Sequence, residues 1–133
     1  MQDGPERLYV VVRGDLPPGH QATQSVHAAL LFSVLHPAEA RSWHTASGYL
    51  VVLSCTDADE LERLEAAARR RGVRAVRFEE VDFPEGERLT ALALGPGDGA
   101  RRLCSNLPLL GRKAMMRGRF PARPGEANVA LTP

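Results

Sequence analysis

Four apolar runs along the chain predict the strands of a small β-sheet. The runs over residues 8–13 and 49–55 are continuous and rich in β-branched side chains, which predicts strands buried on both faces. Shorter runs over residues 73–78 and 89–94 predict a third and a fourth strand. The loop between these two carries no helical pattern, so they either pair antiparallel or lie at opposite edges of the sheet.

The segments between the runs have apolar residues at helical spacing. Residues 20–35 are predicted to form the first helix, and Pro37 ends it and opens a shorter helix over residues 37–46. In the first helix the apolar residues at helical intervals are Ala22, Val26, Ala29 and Leu30.

A third helix is marked at both ends by its sequence. The segment Thr56-Asp57-Ala58-Asp59-Glu60 supplies side-chain oxygens for the N-cap, and Gly72 is a natural C-cap. The apolar stripe between them consists of Leu61, Leu64 and Ala68. A last short helix is predicted over residues 98–107.

This order of elements predicts an α/β fold, with a small four-stranded mixed β-sheet flanked by helices on both faces. A length of 133 residues predicts a single domain. We expect this domain to occupy residues 1–110, because the periodicity vanishes after that point. Residues 111–133 are rich in Gly, Pro and Arg, which predicts a flexible tail.

Charge divides the chain at the same place. Residues 1–110 carry 12 basic and 15 acidic side chains, a net charge of −3, whereas residues 111–133 carry five basic and one acidic, a net charge of +4. A polyanion is therefore attracted to the tail more than to the domain. The two cysteines lack metal-binding spacing, and no apolar stretch approaches the about 20 residues of a membrane span. We expect a cytoplasmic protein without membrane contact.

The corner between the first strand and the first helix gathers side chains suited to chemistry. Asp15, Gly19, His20, Gln24 and His27 surround the predicted start of the helix. Open α/β sheets bind ligands at the carboxyl ends of their strands, and the free N–H groups of a helix start attract anions. The alternative is that Asp15 caps the turn and the other side chains face water.

The histidines do not indicate a metal site. His20 and His27 lie seven residues apart, on one face of the predicted helix, but no carboxylate or thiolate accompanies them. The chain also lacks the glycine-rich motifs that hold nucleotide phosphates. We therefore expect neither a metal nor a cofactor.

A second polar cluster lies in the loop before the fourth strand. It contains five acids, Glu79, Glu80, Asp82, Glu85 and Glu87. One of them, held near the first corner, would orient or deprotonate a water, and the alternative is a solvated acidic loop. Thr90 opens the fourth strand, where its hydroxyl can bond either a site residue or a backbone carbonyl.

Two of these segments resemble the opening of type II peptidyl-tRNA hydrolases. The strand that ends in Arg13-Gly14-Asp15-Leu16 is similar to that family's Arg-x-Asp-Leu, and Gln24-Ser25-Val26-His27-Ala28 is similar to its Gln-x-x-His-Ala. Thr90 and its neighbours up to Pro96 follow in the family's order. The resemblance covers roughly residues 7–110, and the segment from Asp15 to Ala29 is its most specific part.

The resemblance implies a homodimer that hydrolyses, without a metal, the ester joining a peptide to the terminal ribose of tRNA. It also implies a lysine four residues before the helix glutamine, but His20 stands at that position. Thr90 fits a family threonine, and either Glu79 or Asp82 fits the family's acid.

We therefore expect two sets of site residues. The expected catalytic residues are His20, Gln24, Asp82, Glu79 and Thr90. The expected substrate-binding residues are Arg13, Asp15, Gly19 and His27.

Three functions are compatible with this sequence. In the first, an active hydrolase, His20 positions or polarises the attacking water with Gln24 and one acid, and tRNA phosphates contact the helix start and the basic tail. In the second, the fold is a tRNA-binding or protein-interaction module that lost turnover with the lysine. A different hydrolysis on the same scaffold is a third possibility, because a fold does not fix its reaction.

Overall fold

The computed structural model describes residues 6–111 of the chain. The elements along the chain are β1 (Arg7–Arg13), α1 (Pro18–Leu35), α2 (Pro37–Ala46), β2 (Tyr49–Cys55), α3 (Ala58–Arg70), β3 (Ala75–Glu79), β4 (Leu89–Leu94) and α4 (Asp98–Leu103). Every predicted strand and helix is present in this order. The predicted tail over residues 111–133 lies, apart from Gly111, outside the described residues.

The sheet is four-stranded and mixed, with the strand order β2-β1-β4-β3. β1 pairs parallel with β2 and antiparallel with β4, and β4 pairs antiparallel with β3. The β3–β4 pairing decides between the two arrangements that the sequence left open. The carboxyl ends of β1, β2 and β3 therefore lie together with the start of β4, at one end of the sheet.

Helices cover both faces of the sheet, as predicted. On the α1 face, the buried apolar residues are Leu8, Val10, Val12, Ala28, Phe32, Val76, Ala91 and Ala93. On the α3 face, α3 and α4 enclose Tyr9, Val11, Leu53, Cys55, Leu61, Ala68, Leu89, Leu92, Leu94, Ala100 and Cys104. Burying one large aliphatic side chain stabilises a fold by about 1.5–3 kcal/mol, so both layers contribute to holding the sheet. No helix within residues 6–111 is long and apolar enough to cross a membrane.

The prediction that β2 is buried on both faces is wrong. β2 is an edge strand, and Tyr49 and Leu50 at its start are 53% and 48% exposed. β1, in contrast, is buried from its second residue to its last. An apolar run indicates that a strand tends to be buried, but the position of the strand in the sheet decides how much of it is covered.

The predicted last helix is shorter than expected, because the chain after it takes another course. α4 ends at Leu103, and the segment beyond it runs along the outer edge of β2. There the Ser54 amide donates to the Pro108 carbonyl, and the Leu110 amide donates to the Val52 carbonyl, both at 3.0 Å. Pro108 has no N–H for a helix, so it suits this edge position.

Most of the apolar stripe predicted for α1 faces solvent, since Ala22, Val26 and Leu30 are exposed and Ala29 packs against the core. Val26, Leu30 and Val34 lie one turn apart and are 57%, 59% and 72% exposed. The residues that α1 buries are Gln24, Ser25, Ala28 and Phe32. Two of these four are polar, so the helix carries hydrogen-bonding groups into the layer between itself and the sheet.

Candidate active site

The site lies where the start of α1 faces the loop between β3 and β4. β1 ends at the same edge of the sheet, and the turn after it begins with Gly14. A Cβ atom at Gly14 would lie 2.7 Å from the Cys55 carbonyl oxygen, so only glycine fits this close approach of the β1 and β2 ends. The Gln21 side-chain amide donates to the Leu16 carbonyl at 2.6 Å and thereby ties α1 to the turn.

A chain of hydrogen bonds connects β4, α1 and the loop. The buried Thr90 hydroxyl donates to Gln24 Oε1 at 2.6 Å, and Gln24 Nε2 donates to Glu80 Oε1 at 3.0 Å. A carboxylate only accepts hydrogen bonds, so the amide nitrogen must face Glu80 and the amide oxygen must face Thr90. The Thr90 hydroxyl has another acceptor, the Phe78 carbonyl, at 3.4 Å. Both buried groups are thus satisfied, and the direction of the chain is defined.

Glu80 is an ionised acceptor at the end of this chain. The hydrogen bond from Gln24 is the largest cause that lowers the pKa of its carboxyl group, followed by the backbone amide of Asp82, 3.4 Å from Oε2. The imidazoles of His27 and His20 lower the same pKa further. Because the donors that touch it are neutral, Glu80 keeps its negative charge and free lone pairs for a water.

The two histidines of α1 lie beside the same loop. The His27 ring stacks on Phe78, with ring centroids 4.7 Å apart and planes inclined by 7°. The His20 ring lies 6.3 Å from Phe83, at a tilt of 37°. Aromatic contacts therefore hold both rings on the Glu80 side of α1. Within residues 6–111, no three His, Cys, Asp or Glu side chains form a group that could hold a metal ion.

The acids expected from the sequence take other positions. Glu79 points to the opposite face of the sheet, where Arg77 donates to its carboxylate at 2.6 Å. Asp82 has an exposed side chain and meets Glu80 through its backbone amide. The acid that the structure brings to Gln24 is Glu80, which sequence reasoning counted in the cluster but did not select.

Strand periodicity contains the signal for Glu80. Val76 and Phe78 pack on the α1 face, and side chains alternate between faces along a strand. Alternation predicts Glu80 on the α1 face and Glu79 on the face of Arg77. β3 has a register shift between Phe78 and Glu79, and the Gln24–Glu80 bond shows that Glu80 still reaches the α1 side.

Arg13 and Asp15 form a second cluster at the end of β1. The Arg13 guanidinium donates from Nε and Nη2 to the two carboxylate oxygens of Asp15, each at 3.0 Å. This pairing is the main cause that lowers the pKa of Asp15 and raises the pKa of Arg13. Arg13 is only 5% exposed, and its Nη1 donates to the Glu87 carbonyl at 2.8 Å.

Gly19 lies on the first turn of α1 and is exposed. A Cβ atom there would meet nothing within 4 Å, so packing does not require glycine at this position. Its carbonyl accepts a hydrogen bond from the Thr23 hydroxyl at 3.1 Å.

Comparison with known proteins agrees with the resemblance. The family model of peptidyl-tRNA hydrolase PTH2 matches residues 7–107, which include every element of the fold. A peptidyl-tRNA hydrolase of Methanopyrus kandleri is 34% identical over 110 residues, covering 76% of this chain and 95% of that protein. These findings confirm the predicted family and the prediction of an enzyme. The chain belongs to the peptidyl-tRNA hydrolase PTH2 family.

Proposed function

We propose that this protein hydrolyses the ester between the peptide and the tRNA of peptidyl-tRNA, with Glu80 as the group that accepts a proton from the attacking water. The water oxygen bonds to the ester carbonyl carbon, and its proton passes to Glu80. The bond to the ribose oxygen then breaks, that oxygen takes up the proton from Glu80, and Glu80 returns to its ionised form. The products are a free peptide acid and a tRNA with a free terminal hydroxyl.

The observation that supports this best is the setting of Glu80. A carboxylate acts as a general base in its ionised form, and it must be held within hydrogen-bond reach of the water. Gln24 orients the Glu80 carboxylate, and Thr90 orients Gln24, through bonds of 3.0 and 2.6 Å. Such preorganisation saves the ordering that a mobile carboxylate would need at the moment of reaction.

His20 takes the remaining role in this proposal. Hydrolysis also needs a hydrogen-bond donor for the oxygen that becomes negative as water adds. His20 lies on the exposed first turn of α1, beside Phe83 and on the Glu80 side, at the position where the resemblance places a lysine. We assign it the donor role, with His27 as a contact for the substrate.

The test is the release of an N-blocked amino acid from its tRNA by purified protein. We expect Glu80→Gln to lower kcat by about 10²-fold or more, because the amide cannot accept the proton. Glu79→Gln is the matched control, since it changes the neighbouring residue in the same way on the opposite face of the sheet. Equal turnover by Glu80→Gln and wild type would refute the role of Glu80.

His20→Ala is tested in the same assay. We expect a lower kcat, because a donor for the developing oxyanion is lost. Wild-type turnover in His20→Ala would instead remove the histidine from the mechanism.

A binding module without turnover is the second candidate function. The observation that favours it is His20 in place of the lysine, because a histidine is mostly neutral at pH 7 whereas a lysine is charged. Wild-type protein that binds deacylated tRNA but releases no blocked amino acid would establish this function instead.

We also propose that the protein is a homodimer, as the resemblance implies, and that α1 forms its interface. The exposed stripe of Val26, Leu30 and Val34 supports this placement, because an aligned apolar patch favours burial against another surface. A second copy presents the same stripe, so a two-fold axis would bury both at once. Leu30→Asp should convert a dimer to a monomer in analytical ultracentrifugation, whereas a monomeric wild type would refute the proposal.

The tRNA partner and the cytoplasmic location belong to the same proposal. The domain is net negative, so we assign the main phosphate contacts to the basic tail and the start of α1 at Gly19. A chain that ends at Gly111 should bind tRNA more weakly and with a shallower salt dependence. The same affinity and salt slope as the full chain would remove the tail from this role.

A further inference from the structure

Arg13 is built into the protein on all sides of its guanidinium group. Two of its nitrogens hold the Asp15 carboxylate, as described above. The third, Nη1, donates to the Glu87 carbonyl at 2.8 Å and lies 3.4 Å from the Leu89 carbonyl. The Glu87 carboxylate also lies 3.6 Å from Nη2. Each nitrogen of the guanidinium therefore has a protein partner, and no pair of its N–H groups is left to bind a phosphate.

These partners belong to two halves of the site. Asp15 lies in the turn that leads from β1 into α1, which carries Gln24 and His20. Glu87 and Leu89 lie where the loop over residues 80–88 returns into β4, and this loop carries Glu80 at its other end. One buried side chain thus connects the two segments whose meeting makes the site.

Besides these bonds, the loop contacts α1 where the His20 ring lies 6.3 Å from the Phe83 ring. Its backbone bonds, from Glu80 N to the Arg88 carbonyl, from Phe83 N to the Glu80 carbonyl and from Glu87 N to the Pro84 carbonyl, join loop residues to one another. They shape the loop but do not tie it to β1 or α1. Arg13 supplies that tie at one end of the loop, and the Gln24–Glu80 bond supplies it at the other.

We propose that Arg13 is a positioning residue: it fixes the loop over residues 80–88 against the end of β1, so that the Glu80 carboxylate meets Gln24. This inference rests on the proposed function and replaces the expectation that Arg13 contacts the substrate. Asp15 orients the Arg13 guanidinium and offsets its charge, so that the remaining nitrogen faces the carbonyls of Glu87 in the loop and Leu89 in β4.

The geometry requires arginine rather than any cation. A planar guanidinium can grip a carboxylate along one edge while its far nitrogen reaches carbonyls on the other side. The ammonium group of lysine is a single point of charge on a flexible stem, so it cannot hold both partners in fixed directions. Arg13→Lys therefore keeps the charge and removes the bridge.

The experiment compares wild type, Arg13→Lys and the control Arg41→Gln, which alters an exposed arginine on α2. Turnover of the blocked aminoacyl-tRNA gives kcat and KM, and amide hydrogen exchange reports the loop at Glu80 and Glu87. We expect Arg13→Lys to lower kcat by about 10²-fold with little change in KM, since a small misplacement of a reacting group costs that much. We also expect faster exchange at the two loop amides and unchanged exchange in α3.

Two results overturn the inference. Wild-type kcat in Arg13→Lys shows that Glu80 does not depend on Arg13. A raised KM with unchanged kcat and unchanged loop exchange shows that Arg13 binds the substrate. If Arg13→Lys does not fold, Asp15→Asn, which changes the more exposed partner, is measured for the same split between kcat, KM and exchange.

Failure of the proposed function gives a different pattern. If wild type has no turnover, hydrogen exchange alone decides the positioning role. Faster loop exchange in Arg13→Lys then supports Arg13 as the tie that fixes the loop, and unchanged exchange refutes it.

Discussion

Two adjacent glutamates at the end of β3 face opposite sides of the sheet and have different surroundings. Glu79 joins a network of charges on the α3 face, where Arg77 contacts Glu79 at 2.6 Å, Glu65 at 3.1 Å and Glu62 at 3.3 Å. Glu80 lies on the α1 face, where its direct donors are the amides of Gln24 and Asp82. Glu79 is therefore paired with a cation, whereas Glu80 is held by neutral donors only.

This difference is why our proposal assigns the reaction to Glu80 and not to Glu79. Arg77 holds the Glu79 carboxylate on the α3 face, away from Gln24 and the start of α1. Neutral amides leave the charge in place and lone pairs free. The protein thus uses the same residue type for stability on one face and, in our proposal, for reaction on the other.

We expect the largest effect on the Glu80 side from a change at Thr90, whose hydroxyl orients Gln24. Thr90→Val removes the hydroxyl that donates to Gln24 Oε1 and leaves that buried oxygen without its donor. We expect kcat to fall by roughly tenfold, equivalent to about 1.4 kcal/mol, and the free energy of unfolding to fall by about 1–3 kcal/mol. Turnover and urea unfolding measure the two effects, and wild-type kcat with lowered stability would limit Thr90 to a structural role.

On the α3 face, Glu65 provides the converse test. It is buried and contacts both Arg77, at 3.1 Å, and Arg69, at 2.8 Å. Glu65→Gln should lower the free energy of unfolding by about 2 kcal/mol, because Arg77 loses its most buried partner, while kcat stays at the wild-type value. A loss of turnover that exceeds the loss of folded protein would contradict the separation of the two faces.

The pH dependence of the reaction tests whether Gln24 sets the pKa of Glu80. Its hydrogen bond is the largest cause that lowers the pKa of Glu80. In our proposal the ionised form is the active one, so we expect the rate to fall as the pH drops through this lowered pKa. Gln24→Met removes the donor, raises the pKa and should move the acid limb of kcat/KM to higher pH. A limb at the same pH in both proteins would mean that another group titrates.

The smallest effect is expected at Glu62, the outer member of the charge network. Its side chain is more than half exposed and lies 3.3 Å from Arg77. Exposed ion pairs contribute about 0–1 kcal/mol, so Glu62→Gln should change the free energy of unfolding by less than 1 kcal/mol and leave kcat unchanged. A larger loss in urea unfolding would show that the network acts as one unit.

Most of the fold could be predicted from the sequence because its strands and helices have consistent local signals. α3 has its N-cap, its apolar stripe and its terminal glycine, and the Asp57 side chain indeed accepts from the Glu60 amide at 3.0 Å. β2 shows the limit of such signals, since nothing in its own sequence indicates that it lies at an edge.

The site was harder to predict, because α1 departs from the usual pattern. Most of its apolar stripe faces solvent, and its polar Gln24 and Ser25 face the sheet. A local conflict of this kind is expected at functional positions, where a fold tolerates polar burial for the sake of chemistry. The acidic loop posed a separate difficulty, since it has five acids within nine residues and the fold decides which of them reaches Gln24.

The segment that contains Pro108 and Leu110 covers part of the outer edge of β2 and so limits its pairing with another chain. An open strand edge is a template on which a second chain can add a strand, which is how many sheets begin to aggregate. Pro108 and Leu110 occupy two of these bonding positions on β2, and Pro108 can donate none of its own. A chain that ended before Pro108 would still contain the sequence of every helix and strand described here. The outer edge of β2 would then have unpaired N–H and C=O groups, and we expect such a chain to aggregate more readily.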